Sequence, residues 1–331
     1  MKKIKITISA LLLCTALVYS QHSRAGTVAF PFLNLGYDAR AVAMGGAATA
    51  VPNDIYGVLS NPGAIGFVQT SQIMAGFRPV VMGVWGGPLA YLGTSDRYGN
   101  FAANLIVLSS GEIEEFNERG EATGGHARSD YASVAASWGM KVLDDLSAGA
   151  TFKWIYNRLG TETDRYFADG LALDGGIQYR TNNNRLILGL AVQNVGFMRS
   201  GYDSNSYPLP TGISAGISYV PQNTTNLRLA LDVDKRRGDY LNFRPGLELM
   251  ILSDVFLRAG YNLSSKDLGN AIDVLRGERD DTYQKSNMST LSIGGGVITG
   301  IQRTELKLDM AIQFYSDVSR PALLFSVISA F

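Results

Sequence analysis

Cysteine is nearly missing from this chain: the one residue, Cys14, sits in the apolar opening, so the remainder of the chain can build neither a disulfide nor a thiolate site. Histidine is almost as scarce. His22 and His126 are the only two, which speaks against a histidine-based metal centre or a Ser-His pair, and His126 in Gly124-Gly125-His126-Ala127 reads as a solvated loop residue. No cofactor or metal is expected. The one extended apolar run covers residues 6–18, shorter than the ~20 residues of a membrane helix, and no second run comes after it. With Lys2, Lys3 and Lys5 before it and Ser23 and Ala25 behind it, it has the layout of a secretory signal peptide over residues 1–25. Surplus positive charge is missing too. The signal takes four of the 29 bases and no acid, leaving 25 bases against 29 acids, so nucleic acid is not the expected partner.

What the chain does have is alternation. Leu146, Ala148, Ala150, Phe152, Trp154 and Tyr156 place an apolar residue at every second position, with Ser147, Gly149, Thr151, Lys153 and Asn157 between them. Fourteen such segments can be counted, from about 71–80 to 321–331. Their connections alternate between long (110–127, 158–169, 197–210, 264–288) and short (142–144, 181–184, 221–224, 252–253), as the outer loops and periplasmic turns of a membrane barrel do. A soluble β-sandwich would also alternate, but strands of ten or more residues, the loop parity and the terminal Phe331 favour a barrel. The expectation is an all-β, 14-stranded antiparallel transmembrane β-barrel over 71–331 with a small N-terminal hatch over 26–70. It would lie in outer-membrane lipid with both termini periplasmic.

The faces opposite the apolar ones carry charge, and in a barrel they line the lumen. Lys153, Asp174, Arg180, Arg228, Asp232, Arg244, Glu248, Arg258, Glu305, Lys307 and Asp309 are expected there as a sign-balanced ion-pair lattice. A glycosidase-like carboxylate pair is the less natural reading of these acids, and the chain is not expected to be an enzyme. Gly294-Gly295-Gly296 lacks the helix and lysine of a phosphate loop and fits a bend or a close contact with the hatch. The acidic stretch around Glu112, Glu114 and Glu115 has no calcium-loop spacing.

Residues 32–67 carry the one specific motif: Phe32-Leu33-Asn34-Leu35-Gly36-Tyr37-Asp38-Ala39-Arg40, Ala43-Met44-Gly45-Gly46-Ala47, Asp54, and Asn61-Pro62-Gly63-Ala64. This opening resembles the PorV/PorQ family, relatives of the FadL-type fatty-acid transporters. The resemblance implies a fourteen-stranded barrel with a hatch, in which Asp38, Arg40, Met44, Gly45, Gly46, Asn61 and Pro62 hold or gate the hatch. The chain departs from the family at Leu59-Ser60, where an aromatic is common, and at Gly63, where alanine is usual. Arg40 is a candidate to pair with Glu248 or Asp232. Two functions then compete. One is a PorV-like part in type IX secretion, binding exported cargo and the secretion machinery. The other is FadL-like passive uptake of hydrophobic molecules, which needs an apolar pocket; inward apolar candidates are few (Phe256, Ile155, Ile187, Val42, Ile55, Phe67), so the charged lumen favours the first.

Overall fold

The computed structural model describes residues 27–51, 54–80, 83–117, 119–161, 165–181, 183–202, 205–269, 289–301, 304–315 and 321–331; the expected signal segment lies outside them. Its strands are β1 (Gln72–Pro79), β2 (Trp85–Gly93), β3 (Asn100–Ser109), β4 (Ile113–Phe116), β5 (Ala122–Leu143), β6 (Leu146–Gly160), β7 (Arg165–Arg180) and β8 (Leu186–Ser200). They continue with β9 (Gly212–Tyr219), β10 (Leu227–Arg236), β11 (Leu241–Leu252), β12 (Val255–Ser264), β13 (Thr290–Ile301), β14 (Thr304–Tyr315) and β15 (Ala322–Ala330). All except β4 form one antiparallel wall, which closes because β15 pairs back onto β1 and β3 pairs directly with β5. The expected fourteen-stranded barrel is what the chain forms. Closure satisfies every strand edge internally, which is what allows a sheet to stand in lipid.

The wall is inside out relative to a soluble protein. Ile73, Phe77, Leu89, Phe101, Phe152, Trp154, Leu173, Leu308, Met310 and Phe325 are exposed on the outer face, while Asp232, Asp234, Glu248, Arg258 and Asp309 are buried in the lumen. Such an exterior is stable against hydrocarbon and not against water. No described helix is long and apolar enough to cross a membrane.

Two stretches expected as loops are strand instead. The 110–127 connection folds into a hairpin, β4 against an extension of β5, and β6 to β8 grow through much of 158–169 and 197–200. Apolar alternation ends where lipid ends, but backbone N–H and C=O groups still have to be paired, so the ladders run on into water with polar side chains. These strands form a raised sector on one side of the barrel.

Residues 27–70 thread the lumen from one end to the other. The Ala29 amide donates to the Pro208 carbonyl (2.9 Å) at the end bearing the long connections; the Phe331 amide donates to the Ser71 carbonyl (3.0 Å) at the opposite, short-turn end. The first described residues and the C-terminus are therefore at opposite ends of the bore. The physical reason is that a hatch filling the bore must traverse it before entering β1.

Inside, a 3-10 turn (Pro31–Asn34) is followed by three short helices, α1 (Ala39–Ala43), α2 (Gly57–Ser60) and α3 (Pro62–Ile65). Asp38 caps α1 by accepting from the Ala41 amide (3.0 Å). Asn61 is extended (φ −144°, ψ 102°), as the following proline demands, and caps α3 through the Gly63 amide (3.0 Å). Gly45 has φ +71°, and a Cβ there would lie 2.5 Å from the Tyr261 nitrogen, so only glycine lets the turn after α1 rest on β12. Gly294 lies in the same way against Ala43, the close contact anticipated for the triple glycine.

Candidate functional site

The charged lumen residues divide into three groups. The largest straps the hatch to β10, β11, β12 and β14. Arg40 bonds Glu248 (2.7 and 2.8 Å) and Asp54 (2.9 Å); Glu248 also takes Arg258 (2.7 Å) and, more loosely, Arg228 (3.7 Å). Arg258 reaches Asp309 (2.7 Å), Lys307 reaches Asp54 (3.0 Å) and Asp309 (3.6 Å), and the Tyr56 hydroxyl donates to Asp309 (3.0 Å). Removing one member of so buried a network leaves its partner's charge uncompensated, which costs about 3–5 kcal/mol. The second group sits higher on the same side: Asp232 accepts the Ala48 and Thr49 amides (2.9 and 2.8 Å), and Asp234 faces Arg244 (2.8 Å) and Arg236 (3.2 Å). The third is Lys153 with Asp174 (2.6 Å) and Asn194 (2.9 Å), where β7 and β8 slip register.

Two expected members stand apart from this lattice. Arg180 meets no carboxylate among the described residues; it stacks over the Phe67 ring at 3.9 Å and bonds the Gln178 amide oxygen (2.8 and 3.1 Å). Glu305 is exposed at the short-turn end, lining a charged cavity of about 260 Å³ beneath the hatch. Among the motif residues, Met44 is fully buried between β11 and β12, Gly46 lies against the Arg244 side chain, and the Asn61 side-chain amide ties Thr49 to Ile177 of the wall (2.8 and 3.1 Å). Pro62 opens α3, whose next residue rests on the wall. A Cβ on Gly63 would lie 2.8 Å from the Gly176 carbonyl oxygen, so there is no room for a side chain there.

Burial without compensation moves one hatch acid strongly. Asp38 is pushed up to about 7 by burial and by the neighbouring Asp54 charge. For Asp54 itself burial acts upward, yet Lys307 and Arg40 outweigh it and hold the carboxyl below its usual range.

Above the charged network, at the long-connection end, the lumen changes character. Phe30, Phe32, Tyr37, Leu108, Ile155, Ala168, Ala172 and Leu209 form a buried apolar cluster, with Leu33, Leu35, Leu59, Ile106, Tyr131 and Met198 packed on it. Within it open two cavities. One, about 410 Å³, is lined by Leu33, Leu35, Val58, Leu59 and Ile106 together with both signs of charge, Arg78, Lys153, Arg236 and Arg244 beside Asp38, Asp232 and Asp239. The second, about 190 Å³, is bounded by Phe30, Tyr131, Met198, Tyr202 and Tyr207. The expectation that the lumen holds too little apolar surface for a hydrophobic path is corrected: a buried apolar cluster stands at the long-connection end of the bore, and charged groups share only part of its cavities. Of the inward apolar residues anticipated, Ile155 and Val42 border this region. The rest of its lining comes from strand positions on β3, β5, β7 and β8 (Ile106, Leu108, Tyr131, Ala168, Ala172, Met198) and from 29–37, Leu59, Tyr202, Tyr207 and Leu209, where no strand period exists to be read.

No protein-family model matches the sequence, and no curated protein matches it. Solved structures do. The Pseudomonas putida toluene transporter TodX aligns over 89% of this chain and 96% of its own, with 14% identity and a TM-score of 0.56. The monoaromatic hydrocarbon channel CymD aligns over 89% and 97%, with 13% identity and a TM-score of 0.58. A Pseudomonas aeruginosa FadL homologue aligns over 88% and 96%, with 11% identity and a TM-score of 0.54. At such identities the likeness is one of fold: this chain has the closed fourteen-stranded architecture of the FadL-type channels.

Proposed function

We propose that the chain is a passive outer-membrane channel for small hydrophobic molecules, loaded from the long-connection end, which faces outward, with the charge-strapped hatch below acting as the barrier. The observation that carries this is the apolar chamber at the mouth of the lumen, where a hydrophobic solute exchanges water for Phe30, Tyr131, Leu59 and Ile106. The charged and polar groups that share the larger cavity suit a solute that keeps one polar end. Support also comes from the solved channels of the same fold, which carry toluene or monoaromatic hydrocarbons by name. The likeness of residues 32–67 to PorV/PorQ remains a proposal about ancestry, and a part in type IX secretion gains nothing from the lumen.

The test is uptake of radiolabelled toluene and of a long-chain carboxylic acid by cells expressing wild type, Met198→Asp or Tyr131→Asp, both residues being only partly buried. Each variant is expected to cut uptake of at least one probe about tenfold while keeping the heat-modifiable gel band of a folded barrel. Equal uptake by wild type and both folded variants would refute the reading. Exported proteins stranded in the periplasm of a deletion strain, with uptake unchanged, would install the secretion role instead.

A further inference from the structure

The arginines of the barrel wall separate by direction. On β1, β7 and β10 to β12, Arg78, Arg180, Arg228, Arg236, Arg244 and Arg258 point into the lumen or its mouth. In the raised sector four others, Arg128, Arg158, Arg165 and Arg199, occupy positions of the outward face. The ladder fixes that direction for Arg128, Arg158 and Arg165, which alternate in step with the lipid-facing Val134, Trp154 and Leu173 of the same strands, each exposed, while Arg199, at the register slip beyond Phe197, is held there by its ion pair with Asp169.

Register then fixes their height. Val134, Trp154, Leu171 and Phe197 lie in one row across β5 to β8. The row above holds Tyr156 and Asp169, the next Asp130, Arg158 and Phe167, and the next Arg128, Gly160 and Arg165. Rows of one face are two residues apart, about 6.6 Å along a strand, so with the usual barrel tilt the arginines stand roughly 5–15 Å above the Trp154 row. Trp154, Tyr156 and Phe167 form a chain of ring contacts (centroids 5.9 and 6.0 Å apart), as side chains at a membrane interface do. The arginines are thus at the depth of lipid phosphates.

Their local pairing is incomplete. Arg128 engages Asp130 (2.8 Å) and Arg199 engages Asp169 (2.6 Å), while among the described residues no carboxylate pairs with Arg158 or Arg165. Two guanidinium groups remain over an aromatic row, on one sector only.

The geometry points to a docking surface on the outer wall of β5 to β8 for a phosphate-bearing lipid headgroup, held by Arg158 and Arg165 with its acyl chains along Trp154 and Phe197. The site rests on the reading that lipid surrounds the barrel. It lies outside the lumen and is independent of the channel's solute.

The experiment is native mass spectrometry of the full protein in mild detergent with a diphosphorylated lipid A-type glycolipid or its dephosphorylated form. Wild type should retain the phosphorylated lipid at least tenfold better than Arg158→Ala/Arg165→Ala, and the dephosphorylated lipid no better than that variant does. Arg97→Ala/Lys141→Ala, which removes two cations from the short-turn end, should behave as wild type. Arg165→Gln alone should give a partial loss, and serves if the double variant does not assemble. Equal retention by folded wild type and variants, or full displacement by millimolar inorganic phosphate, would overturn the proposal. Loss of the heat-modifiable band in wild type itself would instead defeat the membrane reading beneath it.

Discussion

Among single residues, the hatch is fitted to its wall by what is left out as much as by what is present. Gly63 is the clearest case, because a single methyl there would press on the Gly176 carbonyl. Gly63→Ala is expected to destabilise hatch docking by about 1–3 kcal/mol, the usual cost of overpacking, while leaving the wall intact. Limited proteolysis should then cut within 38–70 faster than in wild type, with the barrel fragment surviving. An unchanged cleavage rate would show that β7 yields to accommodate the methyl. The need for glycine at 63 arises from a contact 113 positions away that no local sequence pattern encodes.

Taken as an element, the hatch is a set of three short helices too small to be stable alone, so its position depends on ties to the wall. Those ties titrate. The docked hatch holds the Asp38 carboxyl at about 7, far above its value in water, so between pH 4 and 7 the docked form keeps a proton that the released form gives up. Docking therefore weakens as pH rises through that window. Asp54 works the other way: held low by Lys307 and Arg40 against its burial, it supports docking above the ordinary carboxylate range and loses that support as pH falls below it. Hatch protection from protease should accordingly be greatest near pH 4–5. Asp38→Asn, which retains the helix cap, should flatten the slope between pH 4 and 7; a slope unchanged in that variant would remove Asp38 as its source.

Across the entire barrel, the bore is sealed by a network with Arg40 at its centre, joining Asp54 of the hatch to Glu248 of the wall. Arg40→Ala leaves Glu248 beside Arg258 and Arg228 but cuts the strap, so single channels in planar bilayers should show ion leak well above wild type. Silence equal to wild type would mean that Lys307 and the Asp232 anchor suffice to hold the hatch. The barrel and its strand number were legible in the sequence, because a period of two with lipid on one side leaves a mark on every strand. Even the approach of Arg40 to Glu248 could be anticipated. Which charges pair, the separation of Arg180 and Glu305 from the lattice, and the passage of the hatch from end to end of the bore emerged only in three dimensions. So did the apolar chamber, which is assembled from the 29–37 segment, Leu59, a loop and the strands β3 and β5 to β8. Their side chains meet through long-range packing, and alternation records only which face a residue occupies, not what faces it across the lumen.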